Sequence, residues 1–161
     1  MKTNLLRIIA SVCLCFTGFI QAQGLTGSEA LEAKFKAMMT GVTMTGRWCS
    51  VKDGALGPEK EDKYSIVGVE KKSGDSWVIN WHMKYGKLEF TVPIPVQVKW
   101  AGDTAVIVVD QMQIPGASVY GGASYSARVL VHDNAYAGTW SGSDHGGLIK
   151  GVIVKVKAEA K

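Results

Sequence analysis

The sequence contains only three cysteines, and two of them, Cys13 and Cys15, lie in an apolar run near the N-terminus. If that run is removed during export, Cys49 is the one cysteine left, so no disulfide can form within the chain. The remaining length is sufficient for one domain whose stability comes from a hydrophobic core. Cys49 follows Trp48 in a strand pattern, and we expect it to be a small buried hydrophobic residue rather than a reactive thiol.

The sequence also has no apolar run long enough to span a membrane. Lys2 and Arg7 are followed by the uncharged residues 8–20 and then by the small residue Ala22, which predicts a secretory signal peptide over residues 1–22. A membrane-spanning helix needs about 20 apolar residues, so we expect cleavage and no retained membrane anchor. The protein is then exported through the secretory pathway and is periplasmic or extracellular.

Neither sign of charge dominates the sequence. It has 18 basic and 14 acidic residues, and the loss of Lys2 and Arg7 with the signal peptide would lower the formal charge from +4 to +2. Because this excess of positive charge is small and scattered, it does not favour nucleic acid or an anionic membrane as a partner. The P-loop, dinucleotide-binding, nucleophile-elbow and zinc-protease motifs are absent as well. We therefore expect no nucleic-acid partner, no cofactor and no catalytic residue.

One helix is predicted, in an N-terminal helical segment of residues 23–43. Thr26 and Glu29 have the spacing of a capping box, and Gly41 stands where a helix-ending glycine is expected. The apolar residues of this segment that recur on one helical face are Leu31, Phe35 and Met38.

From residue 44 to residue 158 the apolar residues follow the period of two that is typical of β-strands. The clearest run spans residues 77–85, and short turns such as Ser73-Gly74 and Asp133-Asn134 separate about nine such runs. Closing an antiparallel meander into a barrel removes its exposed edges. The sequence therefore predicts an all-β fold, a single antiparallel up-and-down β-barrel of about eight to nine strands with one short N-terminal helix that plugs a mouth.

The tripeptide Gly46-Arg47-Trp48 at the start of the strand region resembles the Gly-x-Trp that opens calycin barrels of the lipocalin and avidin type. A second copy, Gly138-Thr139-Trp140, occurs late in the chain. The resemblance covers residues 46–157 as a strand pattern. It implies a calycin-like barrel in which Trp48 is buried across the base, against the helix or the first strands, but it implies no particular ligand.

Large rings dominate the strand faces that we expect to point inward. A barrel of about eight strands is either filled by its side chains or holds one small ligand. The predicted ligand-binding residues of the interior and its lid are Trp77, Trp81, Phe90, Tyr120, Tyr125 and Trp140. Tyr120 belongs to the glycine-hinged loop 114–123, for which a lid over the mouth and simple packing against the barrel end remain open.

Three histidines are the distinctive titrating residues. His82 lies on the polar side of its strand, and we expect it to be solvated. We expect the turns that carry His132-Asp133 and Asp144-His145 to open on one rim, which makes these four residues candidate ligands for a divalent metal ion. Ordinary turn chemistry explains the same residues, and we expect Asp144-His145 to be a solvated turn with no bound metal.

These observations favour an exported, non-enzymatic protein that binds a small apolar or aromatic ligand inside the barrel. One alternative is a solid barrel that acts as a protein-interaction or inhibitor module outside the cytoplasm. Another is a metal-dependent enzyme that uses the rim of His132 and His145. A protein partner is compatible with the sequence, and the oligomeric state is not indicated by it.

Overall fold

The computed structural model describes residues 27–85, 88–113 and 124–156, without the side chains of residues 83–88. The signal peptide predicted for residues 1–22, the capping residue Thr26 and the loop 114–123 lie outside these residues. Within the described residues one helix, α1 (Gly27–Met39), precedes the strands. The strands are β1 (Val42–Lys52), β2 (Ala55–Leu56), β3 (Lys60–Ser73), β4 (Ser76–Tyr85), β5 (Leu88–Ala101), β6 (Thr104–Gln113), β7 (Ser124–His132), β8 (Ala135–Ser141) and β9 (Gly146–Lys155).

The strands form an eight-stranded, closed antiparallel barrel with β2 as an extra strand beside β1. Each barrel strand pairs with the next along the chain, and β9 returns to pair with β1 from Val42–Lys155 to Val51–Gly146. This closure gives each described barrel strand a neighbour on both sides, which is the reason that the strand pattern favoured it. Strands β5 and β6 pair over a short stretch, from Gln97–Val108 to Ala101–Thr104. The predicted all-β, up-and-down architecture with one short N-terminal helix is confirmed.

Helix α1 closes the end of the barrel at which β1 begins, which we call the helix end. Phe35 and Met39 are almost fully buried, and the Phe35 ring packs edge-on against Trp77 and Trp100 at centroid distances of 5.4 and 6.2 Å. Gly41 ends the helix with a φ of 62°, in the left-handed conformation that favours glycine. The Lys155 ammonium donates hydrogen bonds to the carbonyls of Ala37 and Thr40, which anchors the last helical turn to β9.

The opposite end of the barrel, which we call the open end, carries the other set of connections. In an up-and-down barrel successive connections alternate between the two ends. The turns at residues 74–75, 102–103 and 133–134 therefore lie at the helix end, and the β8–β9 connection at 142–145 lies at the open end. No helix within the described part of the chain has both the length and the hydropathy needed to cross a bilayer.

Glycines mark the places where the strands come closest together. A Cβ on Gly46 would stand 2.0 Å from the Lys150 carbonyl oxygen, and a Cβ on Gly151 would stand 2.4 Å from that of Thr45. Because Gly46 pairs with Gly151, both strands lack a side chain at the same level of the wall. Glycines of this kind permit the sharp bending that closes a barrel.

Candidate functional site: an apolar cavity inside the barrel

The barrel interior contains a cavity of about 420 Å³. Such a volume falls in the range of about 300 to 1,000 Å³ that is typical of small-molecule sites. Its deeper walls are aliphatic and come from strands on all sides of the barrel, among them Met44, Ile66, Ile79, Ile94, Ile107 and Val129. The packed layer of Phe35, Trp77 and Trp100 at the helix end lies outside this lining, so it forms the floor.

Aromatic side chains surround the cavity towards the open end. The Trp140 ring packs edge-on against Trp48 at 5.5 Å and against His145 at 5.1 Å between centroids. Tyr64 and Trp81 make a similar contact at 5.2 Å. These rings are only partly buried, and all five line the cavity. Aromatic faces of this kind give a large apolar contact area with specific edge and face geometry.

The structure brings three of the predicted binding residues together around the cavity: Trp81, Tyr125 and Trp140. Trp77 lies instead in the floor, 3% exposed, because its ring is covered by Phe35 of the helix. Phe90, near the start of β5, is 40% exposed and does not belong to the lining. Tyr120 and the predicted lid fall outside the described residues, although Gln113 and Ser124 on either side of the loop lie at the open end.

Trp48 lies at the open end, so the prediction that it packs across the helix-plugged base is wrong. Its partners in the ladder are Lys60 and Ile149, six residues along β1 from Val42 at the helix end. It is half-buried and lines the cavity. Since helix α1 enters at the start of β1, the base is filled by its own Phe35 instead. Cys49, the next residue, is buried and free, which agrees with its prediction as a small buried hydrophobic residue.

His132 and His145 lie at opposite ends of the barrel, so the prediction of a shared rim is wrong. Their turns are consecutive connections on either side of β8, and consecutive connections alternate between ends. His132 lies at the helix end, with Nε2 3.2 Å from Asp133 and Nδ1 3.3 Å from the Thr104 hydroxyl. Within residues 27–85, 88–113 and 124–156, no three His, Cys, Asp or Glu side chains converge as metal ligands would.

The Asp144-His145 turn is exposed, as expected, but its imidazole also contributes to the cavity lining. His145 Nδ1 lies 2.5 Å from the Asp144 carboxylate, and this hydrogen bond holds the pKa of Asp144 below its usual value. The contact with Trp140 orients the ring at the mouth. His82 faces the outside of β4 and pairs with Glu89 at 2.9 Å, in agreement with its predicted outward orientation.

A small polar cluster interrupts the apolar wall. The Tyr64 hydroxyl donates a hydrogen bond of 2.5 Å to Asp62. Burial, followed by this hydrogen bond, raises the pKa of Tyr64 far above its ordinary value, and burial also raises the pKa of Asp62. Burial and the nearby Asp62 charge raise the pKa of Tyr136 to about 12. These three residues therefore supply hydrogen-bonding groups at one level of the interior.

Sequence reasoning missed Tyr64, Asp62, Met112 and Ser126 as residues of the site or its wall. Tyr64 and Asp62 alternate with Lys63 and Glu61 in a period of two, and this signal was present in the sequence. It was hidden because charged residues occupy both faces at this end of β3. Tyr136 faces inward and is 3% exposed.

The closed eight-stranded barrel is consistent with the calycin-like architecture that Gly46-Arg47-Trp48 implied. Comparison of the chain with protein-family models, with curated proteins and with solved structures gave no match in any of the three.

Proposed function

We propose that this protein is an exported, non-enzymatic, calycin-like binding protein that takes a small apolar or aromatic ligand into its barrel. The cavity of about 420 Å³ is the observation that carries the proposal. A barrel of this size can be filled entirely by its own side chains. An apolar cavity lined by rings and accessible from one end instead favours ligand binding over a solid interaction module.

The rigid floor and the aromatic open end support the same proposal. Phe35, Met39 and Trp77 are buried and close the helix end, so a ligand would enter from the open end. At the other end, Trp48, Trp81 and Trp140 present partly exposed ring surface that a ligand would cover. Burial of apolar area contributes about 25 cal/mol per Å², which makes such a site suited to a ligand of low polarity.

Titration with a neutral, environment-sensitive dye, N-phenyl-1-naphthylamine, tests the proposal. We expect saturable binding at one site, an increase in dye emission and quenching of tryptophan fluorescence. Trp81→Ala removes a ring of the lining and should weaken binding about tenfold, equivalent to about 1.4 kcal/mol. His82→Ala changes the neighbouring outward-facing residue and should leave binding unchanged. Absence of saturable binding to the wild type, or equal binding by both variants, would count against the proposal.

Export can be tested separately from ligand binding. The pattern of residues 1–22 leads us to propose that the mature protein begins at or near Gln23. Intact-mass measurement of the protein recovered from outside the cytoplasm should give the mass of the chain without these residues. Recovery of the full-length chain would contradict export by signal-peptide cleavage and would leave the ligand-binding proposal intact.

A further inference from the structure

Asp62 is a carboxylate that faces the barrel interior. Gly46 pairs with Asp62, between the pairs Met44–Tyr64 and Trp48–Lys60. Because Met44, Tyr64 and Trp48 line the cavity, strand alternation puts Asp62 on the same side of the wall. It is half-buried. Gly46 opposite it has no side chain, and the Tyr136 hydroxyl covers that position.

This carboxylate has no positively charged partner among the residues that the structure describes. Asp62 takes part in none of their ion pairs. Its carboxylate accepts hydrogen bonds from two neutral groups, the Tyr64 hydroxyl and the Lys63 backbone N–H. Removing a carboxylate from water without a cation nearby is costly, and a cation placed against it would recover part of that cost.

The Tyr136 hydroxyl is a second polar group at this level that lacks a partner. In the described chain, Tyr136 Oη and Trp140 Nε1 are buried and make no hydrogen bond. Tyr136 is 97% buried, and its hydroxyl lies over Gly46, next to the strand that carries Asp62. A phenol oxygen accepts hydrogen bonds as well as donating them. A ligand group with several N–H donors would therefore satisfy Asp62 and Tyr136 together.

At the open end, one aromatic ring already contacts a positive charge. The Lys60 ammonium lies 4.9 Å from the centroid of the Trp48 ring, in cation–π geometry. Tyr64, Trp81 and Trp140 offer further ring faces around the cavity. The described lining contains no lysine or arginine, and the Lys60 ammonium on the same face is held against Trp48. Asp62 borders this lining beside Tyr64. An anionic ligand group, by contrast, would have to approach Asp62.

We infer that the ligand is a small aromatic or aliphatic amine, bound as its ammonium ion with the charged group against Asp62 and the Tyr136 hydroxyl. Its apolar body then occupies the cavity among the rings. The inference rests on the proposed function and adds the chemical class of the ligand. It assigns Asp62 the role of counter-ion and Tyr136 that of a neutral hydrogen-bond partner.

A matched pair of probes separates the charge from the apolar body. 1-Naphthylmethylamine is an ammonium ion at neutral pH, and 1-naphthalenemethanol is its neutral counterpart of nearly the same size. Binding of each is measured by fluorescence titration to the wild type, to Asp62→Asn, and to Glu61→Gln. Asp62→Asn keeps an oxygen that can accept the Tyr64 hydrogen bond. Glu61→Gln removes the same charge from the adjacent, outward-facing position and is the control.

The wild type and Glu61→Gln should bind the amine about tenfold more tightly than the alcohol, as expected for one charge-assisted hydrogen bond. Asp62→Asn should bind the two probes equally, with its affinity for the alcohol unchanged, which also shows that it folds. Equal binding of the probes by the wild type, or an amine preference that survives in Asp62→Asn, would overturn the inference but not the proposed function. Failure of both probes to bind the wild type would overturn both.

Discussion

The Tyr136 hydroxyl occupies the space that a Cβ on Gly46 would need, since an ideal Cβ there would lie 2.5 Å from Tyr136 Oη. The same hydroxyl lies 2.6 Å from the corresponding position on Gly151. One ring from β8 thus covers the glycine pair that joins β1 to β9. This arrangement places the Tyr136 hydroxyl against the barrel wall.

Gly46→Ala should destabilise the protein severely. The added methyl would meet the Lys150 carbonyl and the Gly151 backbone as well as Tyr136, and backbone cannot move aside as a flexible side chain would. We expect a loss of at least about 3 kcal/mol in the free energy of unfolding, the upper part of the range for overpacking. Denaturant unfolding measures this loss. Gly68→Ala in β3, whose Cβ would meet no atom closer than 4.0 Å, is the control. Equal losses in the two variants would contradict this account of the wall.

Phe35→Ala should weaken the closure at the helix end. The ring is 1% exposed and contacts Trp77 and Trp100, so its removal leaves a large void between helix and barrel. We expect a loss of about 3 to 5 kcal/mol in unfolding free energy, with a lower thermal midpoint. Lys36→Ala, on the exposed side of the same helix, should change stability little. An unchanged midpoint in Phe35→Ala would show that α1 does not plug the barrel.

Asp62 should make the stability depend on pH. Burial raises the pKa of its carboxyl, so the folded state favours the protonated form. Its contribution to stability is therefore fully present below the ordinary aspartate pKa of about 3.9 and is lost as the pH rises through the raised value. Tyr64 and Tyr136 face the same carboxyl, but both remain protonated throughout this interval. Asp62→Asn lacks this titration, so it should gain stability relative to the wild type between acidic and neutral pH.

Denaturant unfolding of both proteins at several pH values from acid to neutral gives this difference directly. Glu61→Gln serves as the comparison, because Glu61 is exposed on the outer face of the same strand. A constant difference between the wild type and Asp62→Asn across the range would contradict the burial of the Asp62 carboxyl.

Local signals made most of the fold predictable from the sequence. The period of two located the strands, Gly41 marked the helix end, and the Asp133-Asn134 pair marked a turn in which both residues have positive φ. These features depend on neighbours in sequence. The position of a residue along the barrel axis does not depend on its neighbours in sequence. Trp77 and Trp81 share one face of β4, yet only Trp81 lines the cavity, because the helix covers Trp77.

The prediction that His132 and His145 share one rim was wrong for a related reason. The end at which a turn lies depends on whether an even or an odd number of connections precedes it. The turns that carry His132 and His145 are consecutive connections, whereas the prediction placed them two connections apart. The position of Tyr136 over Gly46 could not be predicted, because it depends on the closure of β1 with β9. No local pattern contains that closure.

Filling the cavity from within tests the central claim most directly. Ala127 lines the cavity on β7, and Ala137 faces outward on β8, so Ala127→Phe and Ala137→Phe add the same ring inside and outside the barrel. Isothermal titration with N-phenyl-1-naphthylamine should show one binding site in the wild type and in Ala137→Phe, and a loss of at least tenfold in affinity in a folded Ala127→Phe. Undiminished binding by Ala127→Phe would contradict the interior site, as would a loss confined to Ala137→Phe.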